Sequence, residues 1–181
     1  MSPSQPTTGR ARQAPLGERY RENPGAATIT DGGRTQNGVQ TDPFHGQAVP
    51  GSQEYGLSLP FSIHSAVGGY HDGPNPGDLL CTALAACLDS TIRIVADRMG
   101  VPLAYLAVDV TADVDVRGTL MLDRDVPVGF KTMRCHVNIR PAAGTKPELV
   151  QKLREHADVA LRSANRPDDQ RPGSVSDGVA A

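Results

Sequence analysis

The stretch from Asn75 to Gly100, NPGDLLCTALAACLDSTIRIVADRMG, constrains the fold most, because it contains the longest helical pattern in the chain. Asn75 suits an N-cap, Pro76 the first helical position, and Asp78 the positive end of the helix dipole. Apolar and small residues recur at helical spacing and predict one buried stripe: Leu80, Ala83, Leu84, Cys87, Thr91, Ile94 and Val95. A helix this apolar should be largely buried, under a sheet or against a partner.

The segments before this helix predict short strands joined by turns. Residues 26–30 are a strand candidate, and the dipeptides Gly32-Gly33 and Asn37-Gly38 indicate hairpin turns. Residues 41–53 read as a loop. Residues 57–63 alternate in polarity and predict a strand, which Pro60 places at a sheet edge.

The segments after the helix predict further strands and a second helix. Residues 103–116 form a strand pattern, and Arg117-Gly118 predicts a hairpin turn into residues 119–122. Residues 131–140 predict a half-buried strand with Met133, Cys135, Val137 and Ile139 on its inner face. The sequence from Thr145 to Glu148 matches a capping box for a helix running to about Ala164. This order predicts an α+β fold, with helices packed on an antiparallel sheet.

The composition indicates where the folded domain begins and ends, and which classes of partner are excluded. Residues 1–15 predict a disordered tail, residues 16–165 a single domain, and residues 166–181 a flexible C-terminal tail. The net charge of −2, with its signs well mixed, gives no sign of the basic surface that nucleic acid requires, and no apolar run reaches membrane-spanning length. The three cysteines and the absence of a secretory signal favour the cytoplasm.

The segment PNPGDLLCTALAACLDSTIRIVADRMGV resembles the signature of the OsmC/Ohr family, with Pro-x-x-Leu-Leu followed by small residues and Ala-x-Cys. Residues 114–118 and 126–130 resemble the strand and turn patterns that follow in that family. The resemblance covers about residues 20–164. It implies an OsmC-like fold, in which antiparallel sheets wrap around long central helices of an intertwined homodimer. It also implies cysteine-based reduction of organic hydroperoxides in an oxidative stress response, with no cofactor and no metal.

The resemblance also implies the residues of a catalytic site. Cys87 falls at the position of the peroxidatic cysteine, and Arg34 matches the activating arginine, which follows a glycine pair. The family's glutamate would stand at Gly77, so Asp78 is the nearest carboxylate. The resolving cysteine is missing, because the second helix aligns Asp158 or a neighbour at its position.

Elementary chemistry adds two constraints on Cys87. A peroxide is attacked by the thiolate, and the dipole of the helix fades well before a residue twelve positions beyond the cap, so a cation must come from elsewhere. Cys81 lies about 9 Å from Cys87 along the helix axis and points to a different side, which excludes a disulfide between them. A sulfenic acid at Cys87 therefore needs an external thiol reductant.

Two functions follow from these observations. The first is an OsmC-like homodimer that reduces organic hydroperoxides through Cys87. The alternative is a dimer of the same fold without peroxidase chemistry, which binds a small apolar ligand or serves a structural role. His64, His71 and Asp72 lack the spacing of a metal site and are interpreted as loop residues at a pocket mouth.

Overall fold

The computed structural model describes residues 8–36, 42–51, 55–164 and 174–176. The helices are α1 (Gly9–Glu22), α2 (Pro76–Met99), α3 (Val116–Thr119) and α4 (Pro147–Ala164). The strands are β1 (Gly33–Gln36), β2 (His45–Pro50), β3 (Leu59–Ser62), β4 (Leu103–Val114), β5 (Phe130–Pro141) and β6 (Ser174–Ser176). Short 3-10 turns cover Pro24–Ala27 and Ser65–Val67. The predicted α+β class is confirmed.

The chain divides into two compact units. Unit 1 comprises Met1–Ile29, Ala85–Asp109 and Arg134–Ala181, and unit 2 comprises Thr30–Leu84 and Val110–Met133. The residues of α2 are shared between them, with Pro76–Leu84 in unit 2 and the remainder in unit 1.

The core of unit 1 is built from α2, β5 and α4. Their buried apolar side chains are Leu88, Ile92, Ala96, Cys135, Val137, Ile139, Leu153 and Ala157. On β5 the buried positions alternate with exposed ones, as the period of a strand requires. On α4 the two buried residues lie four apart and therefore share one face. The predicted inner face of β5 and the predicted end of α4 at Ala164 are both confirmed.

Strands β1, β2 and β3 form a small antiparallel sheet in unit 2. In this sheet Arg34 pairs with Val49, and Gln47 pairs with Pro60. Strand β3 is an edge strand, as Pro60 predicted. Proline has no backbone N–H, so at the edge of a sheet it costs no hydrogen bond to a further strand. Strand β2 occupies residues that were predicted to be loop.

Strands β4, β5 and β6 form the second sheet, in that order. The Thr132 hydroxyl donates to the Asp113 carboxylate at 2.6 Å, and the Ala142 N–H donates to the Pro102 carbonyl at 2.8 Å. The start of each strand thus meets the end of the other, so β4 and β5 run antiparallel. Strand β6 pairs with β5 in parallel and occupies part of the predicted C-terminal tail.

The burial of α2 differs from the sequence prediction. The predicted stripe is exposed or half-buried, and the buried residues are instead Leu88, Ile92 and Ala96. Five residues on the other side are exposed: Leu80, Ala83, Cys87, Ser90 and Ile94. At about 100° per residue, these two rows lie on nearly opposite sides of the helix. Helix α2 is apolar on both sides. The periodicity of the sequence therefore predicted an apolar stripe, but it could not show which side of the helix is buried by the rest of the chain.

Two predicted local structures are corrected at the N-terminal end. Residues 9–15, predicted to be disordered, belong to α1, because the Thr8 hydroxyl caps the Ala11 N–H at 3.2 Å and Asp97 accepts from the Arg10 N–H at 3.2 Å. The predicted strand at residues 26–30 is replaced by the 3-10 turn and an irregular segment. The predicted turn at Asn37-Gly38 lies outside the described residues.

The predicted hairpin at Arg117-Gly118 is also wrong, because β4 leads into α3 and pairs with β5 instead. Asp115 caps α3 by accepting from the Arg117 N–H at 3.2 Å, and this begins a helical turn. The Thr145 hydroxyl donates to the Ala142 carbonyl at 2.7 Å, just before α4 begins at Pro147, and the predicted capping box stays a prediction.

Helix α2 is, by length and composition alone, long and apolar enough to cross a membrane, unlike the sequence expectation. The core helix of a soluble protein meets the same criterion, and α2 contributes three buried residues to the core of unit 1.

Candidate cysteine site

Cys87 is exposed near the middle of α2, in the part of the helix that belongs to unit 1. Its carbonyl oxygen accepts hydrogen bonds from the Ser90 and Thr91 hydroxyls, each at 2.9 Å. Both neighbouring hydroxyls are therefore engaged with the helix backbone. The residue lies in the exposed row of small and apolar side chains, so a reactant or a partner surface can reach it.

The other two cysteines are in less reactive surroundings. Cys135 is buried on β5, as predicted, with 3% of its surface exposed. Cys81 is half-buried, and burial together with the nearby charge of Asp78 raises the pKa of its thiol. Both effects disfavour the thiolate, which is the nucleophilic form. Among the three free thiols, Cys87 is the exposed one.

Arg34 lies exposed on β1 in unit 2. Its position in the sheet is fixed by pairing with Val49, and Gly33 pairs with Pro50. No described residue of unit 2 forms an ion pair or hydrogen bond with its guanidinium. The sequence prediction of its role stays a prediction.

Asp78 forms part of the N-terminal cap of α2. Its Oδ2 accepts from the backbone N–H of Asn75 at 2.9 Å and from the Asn75 side-chain amide at 2.6 Å. In return, Asn75 Oδ1 accepts from the N–H of Gly77 at 2.8 Å and of Asp78 at 3.2 Å. This reciprocal cap satisfies donors that would otherwise have no partner at a helix start.

Gly77, where the family's glutamate would stand, leaves little space for a side chain. An added Cβ would lie 2.9 Å from Asn75 Oδ1 and 3.4 Å from the ring of Phe130. The Asn75 side chain and the Phe130 ring thus occupy the space that the Cβ of a glutamate or aspartate at position 77 would need. The assignment of the family's glutamate to this position stays a prediction.

The predicted site residues fall in both units. Arg34, Gly77 and Asp78 belong to unit 2, whereas Cys87 belongs to unit 1. Asp158, at the aligned place of the resolving cysteine, is half-buried on α4 in unit 1. Within unit 2 the structure brings Asp78 to Asn75 and into electrostatic contact with Cys81.

Unit 2 also holds a polar cluster around His45 that the sequence analysis missed. His45 Nδ1 lies 2.5 Å from Asp42 Oδ2, and its Nε2 lies 2.9 Å from Asp72 Oδ1. The Tyr70 ring stacks on the imidazole, with centroids 5.6 Å apart and planes at 9°. The residues are separated by up to 30 positions in sequence, and His45 was placed in a loop, so no local pattern could reveal the cluster.

The predicted loop histidines lie beside this cluster. The rings of His64 and His71 are 4.1 Å apart, and His64 Nδ1 accepts from the Ala66 N–H at 2.9 Å. Among the described residues, no group of three His, Cys, Asp or Glu side chains is arranged to hold a metal ion.

Solved structures share the fold of this chain. An organic hydroperoxide resistance protein from Elizabethkingia anophelis is similar, with a TM-score of 0.60 at 20% identity over 84% of this chain and 99% of the other. An organic hydroperoxide resistance protein OsmC from Legionella pneumophila gives a TM-score of 0.57 at 21% identity, with coverage of 84% and 99%. An OsmC-like protein of unknown function from Vibrio cholerae gives 0.63 at 10% identity, with coverage of 82% and 100%.

No curated protein sequence matches the chain. The sequence profile described as OsmC-like protein matches residues 69–160, from the Gly-rich loop through α2, β4 and β5 into α4. Since this segment is more than half of the 181 residues, the chain belongs to the OsmC-like protein family.

Proposed function

We propose that this protein reduces organic hydroperoxides through Cys87, with electrons from an external thiol. The observation that carries the proposal is the contrast among its cysteines. Cys87 is exposed on the long helix of an OsmC-like chain, while Cys135 is buried and the pKa of Cys81 is raised. Two structural relatives are named organic hydroperoxide resistance proteins, which supplies the substrate class.

The proposed reaction begins with the Cys87 thiolate. Its sulfur attacks one peroxide oxygen, a sulfur–oxygen bond forms, and the oxygen–oxygen bond breaks. The sulfur is oxidised by two electrons to a sulfenic acid, while the other oxygen leaves with a proton as an alcohol.

The sulfenic acid is then reduced from outside the chain. An external thiol attacks the sulfur and releases water, forming a mixed disulfide, and a second thiol displaces Cys87 as thiolate. Because the chain carries only Cys81 and Cys135 besides Cys87, and neither stands on α4, a dithiol is the proposed reductant.

Arg34 is the proposed activator of the thiolate. A cation within about 4–6 Å of a thiol favours the charged form, and each unit by which the pKa falls raises the thiolate fraction about tenfold. The exposure of Arg34 on β1 supports this role.

Asp78 is the proposed carboxylate of the site. Its hydrogen bonds to Asn75 mean that two roles, capping and catalysis, must be separated by experiment. Asp78→Asn is suited to this, because an amide oxygen still accepts from Asn75 whereas the charge is lost.

We further propose that two copies associate in the cytoplasm through Leu80 and Ile94 at the two ends of the exposed row of α2, with Cys87 in a cleft between the copies that stays open to the peroxide. Leu80 is 55% exposed and Ile94 is 41% exposed, so the row presents apolar area that water does not favour. Small residues, Ala83 and Ser90, stand between them and allow close approach of a second helix. In such a dimer the sheets of both copies would wrap around the paired helices.

The peroxidase proposal is tested with reduced protein, cumene or tert-butyl hydroperoxide, and dithiothreitol as the external dithiol. Peroxide consumption measures turnover, and dimedone trapping with mass spectrometry locates the sulfenic acid. We expect the adduct on Cys87 and loss of turnover in Cys87→Ser. Cys81→Ser is the matched control on the same helix and should keep turnover. Equal, slow labelling of all three cysteines would refute the proposal, as would full turnover in Cys87→Ser.

The roles of Arg34 and Asp78 are tested in the same assay. Arg34→Ala should lower the second-order rate of Cys87 oxidation about tenfold or more, by the relation between pKa and thiolate fraction. Asp78→Asn should also slow turnover while the protein stays as stable as the parent. An unchanged rate in either variant would remove that residue from the site.

The dimer proposal is tested by sedimentation velocity at micromolar concentration. The parent should sediment as a dimer, and Leu80→Glu with Ile94→Glu should sediment as a monomer, because charges would face an apolar surface. Val128→Glu, at another exposed apolar position in unit 2, is the control. A monomeric parent would contradict the proposal.

A further inference from the structure

The imidazole of His45 is held between two carboxylates. Nδ1 lies 2.5 Å from Asp42 Oδ2, and Nε2 lies 2.9 and 3.2 Å from the two oxygens of Asp72. A carboxylate is only an acceptor, so each ring nitrogen must carry a hydrogen to make both bonds. A neutral imidazole has a single N–H. The geometry therefore requires the doubly protonated, positively charged ring.

The two carboxylates belong to separate segments of unit 2. Asp42 lies in the turn before β2, where it also accepts from the Phe44 N–H at 2.8 Å. Asp72 lies in the loop of residues 68–73, three residues before Asn75 caps α2. His45, at the start of β2, thus ties the turn to the loop that leads into the helix.

Aromatic contacts join the same two segments. Tyr70 stacks on His45 and meets the Phe44 ring edge-on, with centroids 5.4 Å apart and planes at 82°. A charged imidazole on an aromatic face is favoured electrostatically over a neutral one. Tyr70 is 67% exposed, so solvent has access to the cluster.

We propose that Asp42, His45 and Asp72 form a proton-operated clip that fastens the 68–73 loop to β2. While His45 is charged, both carboxylates are bound and the loop is closed. When the ring loses a proton, one nitrogen becomes an acceptor facing a carboxylate, which repels it. The loop is then released at its Asp72 end, and the backbone bond from the His71 N–H to the Ile63 carbonyl opens more often.

The groups that face the clip support a charged His45. On the same side stand Asp42, Asp72 and Tyr70, and the Ser62 hydroxyl on β3 also interacts with Asp72. The rings of His64 and His71 pair with each other in the adjoining segment. Among the described residues of unit 2, the charges next to the ring are thus the two carboxylates.

The direction of the pH response follows from these contacts. Hydrogen bonds to Asp42 and then Asp72 raise the pKa of His45, and hydrogen bonds to His45 lower the pKa of both carboxyl groups. The contribution of His45 is complete below its ordinary pKa of about 6.5 and is lost as the pH rises through the raised value. The contribution of the carboxylates is present above about 3.8 and is lost on acidification. The clip is therefore closed in mildly acidic solution and opens as the pH rises through the raised pKa of His45.

The test uses the full chain and two NMR observables. The first is the titration of each histidine ring between pH 5 and pH 9. The second is the hydrogen-exchange protection of the His71 amide, which donates to the Ile63 carbonyl at 3.0 Å within the fastened loop. His156→Gln on α4 is the control substitution, because His156 Nδ1 contacts the Lys152 carbonyl of its own helix at 2.7 Å.

We expect His45 to titrate above the ordinary imidazole value of about 6.5, and the protection factor of the His71 amide to fall severalfold as His45 deprotonates. Asp72→Asn should lower the His45 midpoint and remove the pH dependence of that protection, while His156→Gln changes neither. Measurements on the unsubstituted protein are sufficient to refute the proposal. A His45 midpoint at or below about 6.5, or constant His71 protection across the His45 titration, would do so.

Discussion

Asn75 and Asp78 cap each other at the first turn of α2. Asn75 Oδ1 accepts from the Asp78 N–H at 3.2 Å, and Asp78 Oδ2 accepts from the Asn75 N–H at 2.9 Å. The Gly77 between them has an N–H that also bonds to Asn75 Oδ1. The start of α2 is therefore fixed by side-chain hydrogen bonds on both sides of Gly77, and the carboxylate of Asp78 is already hydrogen-bonded.

This cap predicts a graded loss of stability. Asn75→Ala should lower the free energy of unfolding by about 1 kcal/mol, because the N–H groups of Gly77 and Asp78 lose their acceptor. Asp78→Ala should cost less, and Asp78→Asn least, because its amide retains an acceptor. Urea unfolding of the three variants measures the order. An unaffected Asn75→Ala variant would show that the cap contributes nothing.

The three cysteines should differ in their rates of alkylation. At neutral pH we expect iodoacetamide to modify Cys87 first, Cys81 more slowly and Cys135 only on unfolding, which follows their exposure. Because the charge of Asp78 contributes to the raised pKa of Cys81, Asp78→Asn should speed the modification of Cys81. Peptide mass spectrometry over time gives each rate. A faster reaction at Cys135 than at Cys87 would contradict the burial of β5's inner face.

The core of unit 1 should be sensitive to truncation on α4. Leu153 is fully buried, so Leu153→Ala should lower the free energy of unfolding by about 2–5 kcal/mol through lost burial and a residual cavity. Val128→Ala is the control, because Val128 is 75% exposed and such changes stay within about 0.5 kcal/mol. Denaturant unfolding compares the two variants, and equal losses would argue against the buried face of α4.

The ion pairs around Arg117 should produce an acid-dependent contribution to stability. Hydrogen bonds from Arg117, which donates to Asp115 at 2.6 Å, lower the pKa of Asp115 to about 2. Since the folded-state pKa is depressed, the stabilisation is present above the ordinary value of about 3.8 and is lost as the pH falls through about 2. The stability difference between the parent and Asp115→Asn should therefore shrink between pH 4 and pH 2. Urea unfolding at each pH measures this difference in the free energy of unfolding. A difference that stays constant between pH 4 and pH 2 would exclude the ion pair with Arg117 as its source.

Local signals identified much of the fold. The cap at Asn75 and the stop at Gly100 set the limits of α2, and the alternation of Met133, Cys135, Val137 and Ile139 gave the inner face of β5. These predictions were correct because each depends only on residues that are close in sequence within a single helix or strand. The hairpin predicted at Arg117-Gly118 failed because Asp115 caps a helical turn there, and the strand that pairs with β4 comes later in the chain.

The sequence by itself determined the long apolar helix, the α+β order of elements and the position of Cys87 on α2. Only the tertiary structure decided which side of that helix is buried, because α2 is apolar on two sides and packing of Leu88, Ile92 and Ala96 in unit 1 selects one. Tertiary structure also made Cys87 the exposed thiol and gathered Asp42, His45 and Asp72 from distant segments. Burial and long-range contact depend on what the rest of the chain places opposite a residue, and periodicity does not encode that.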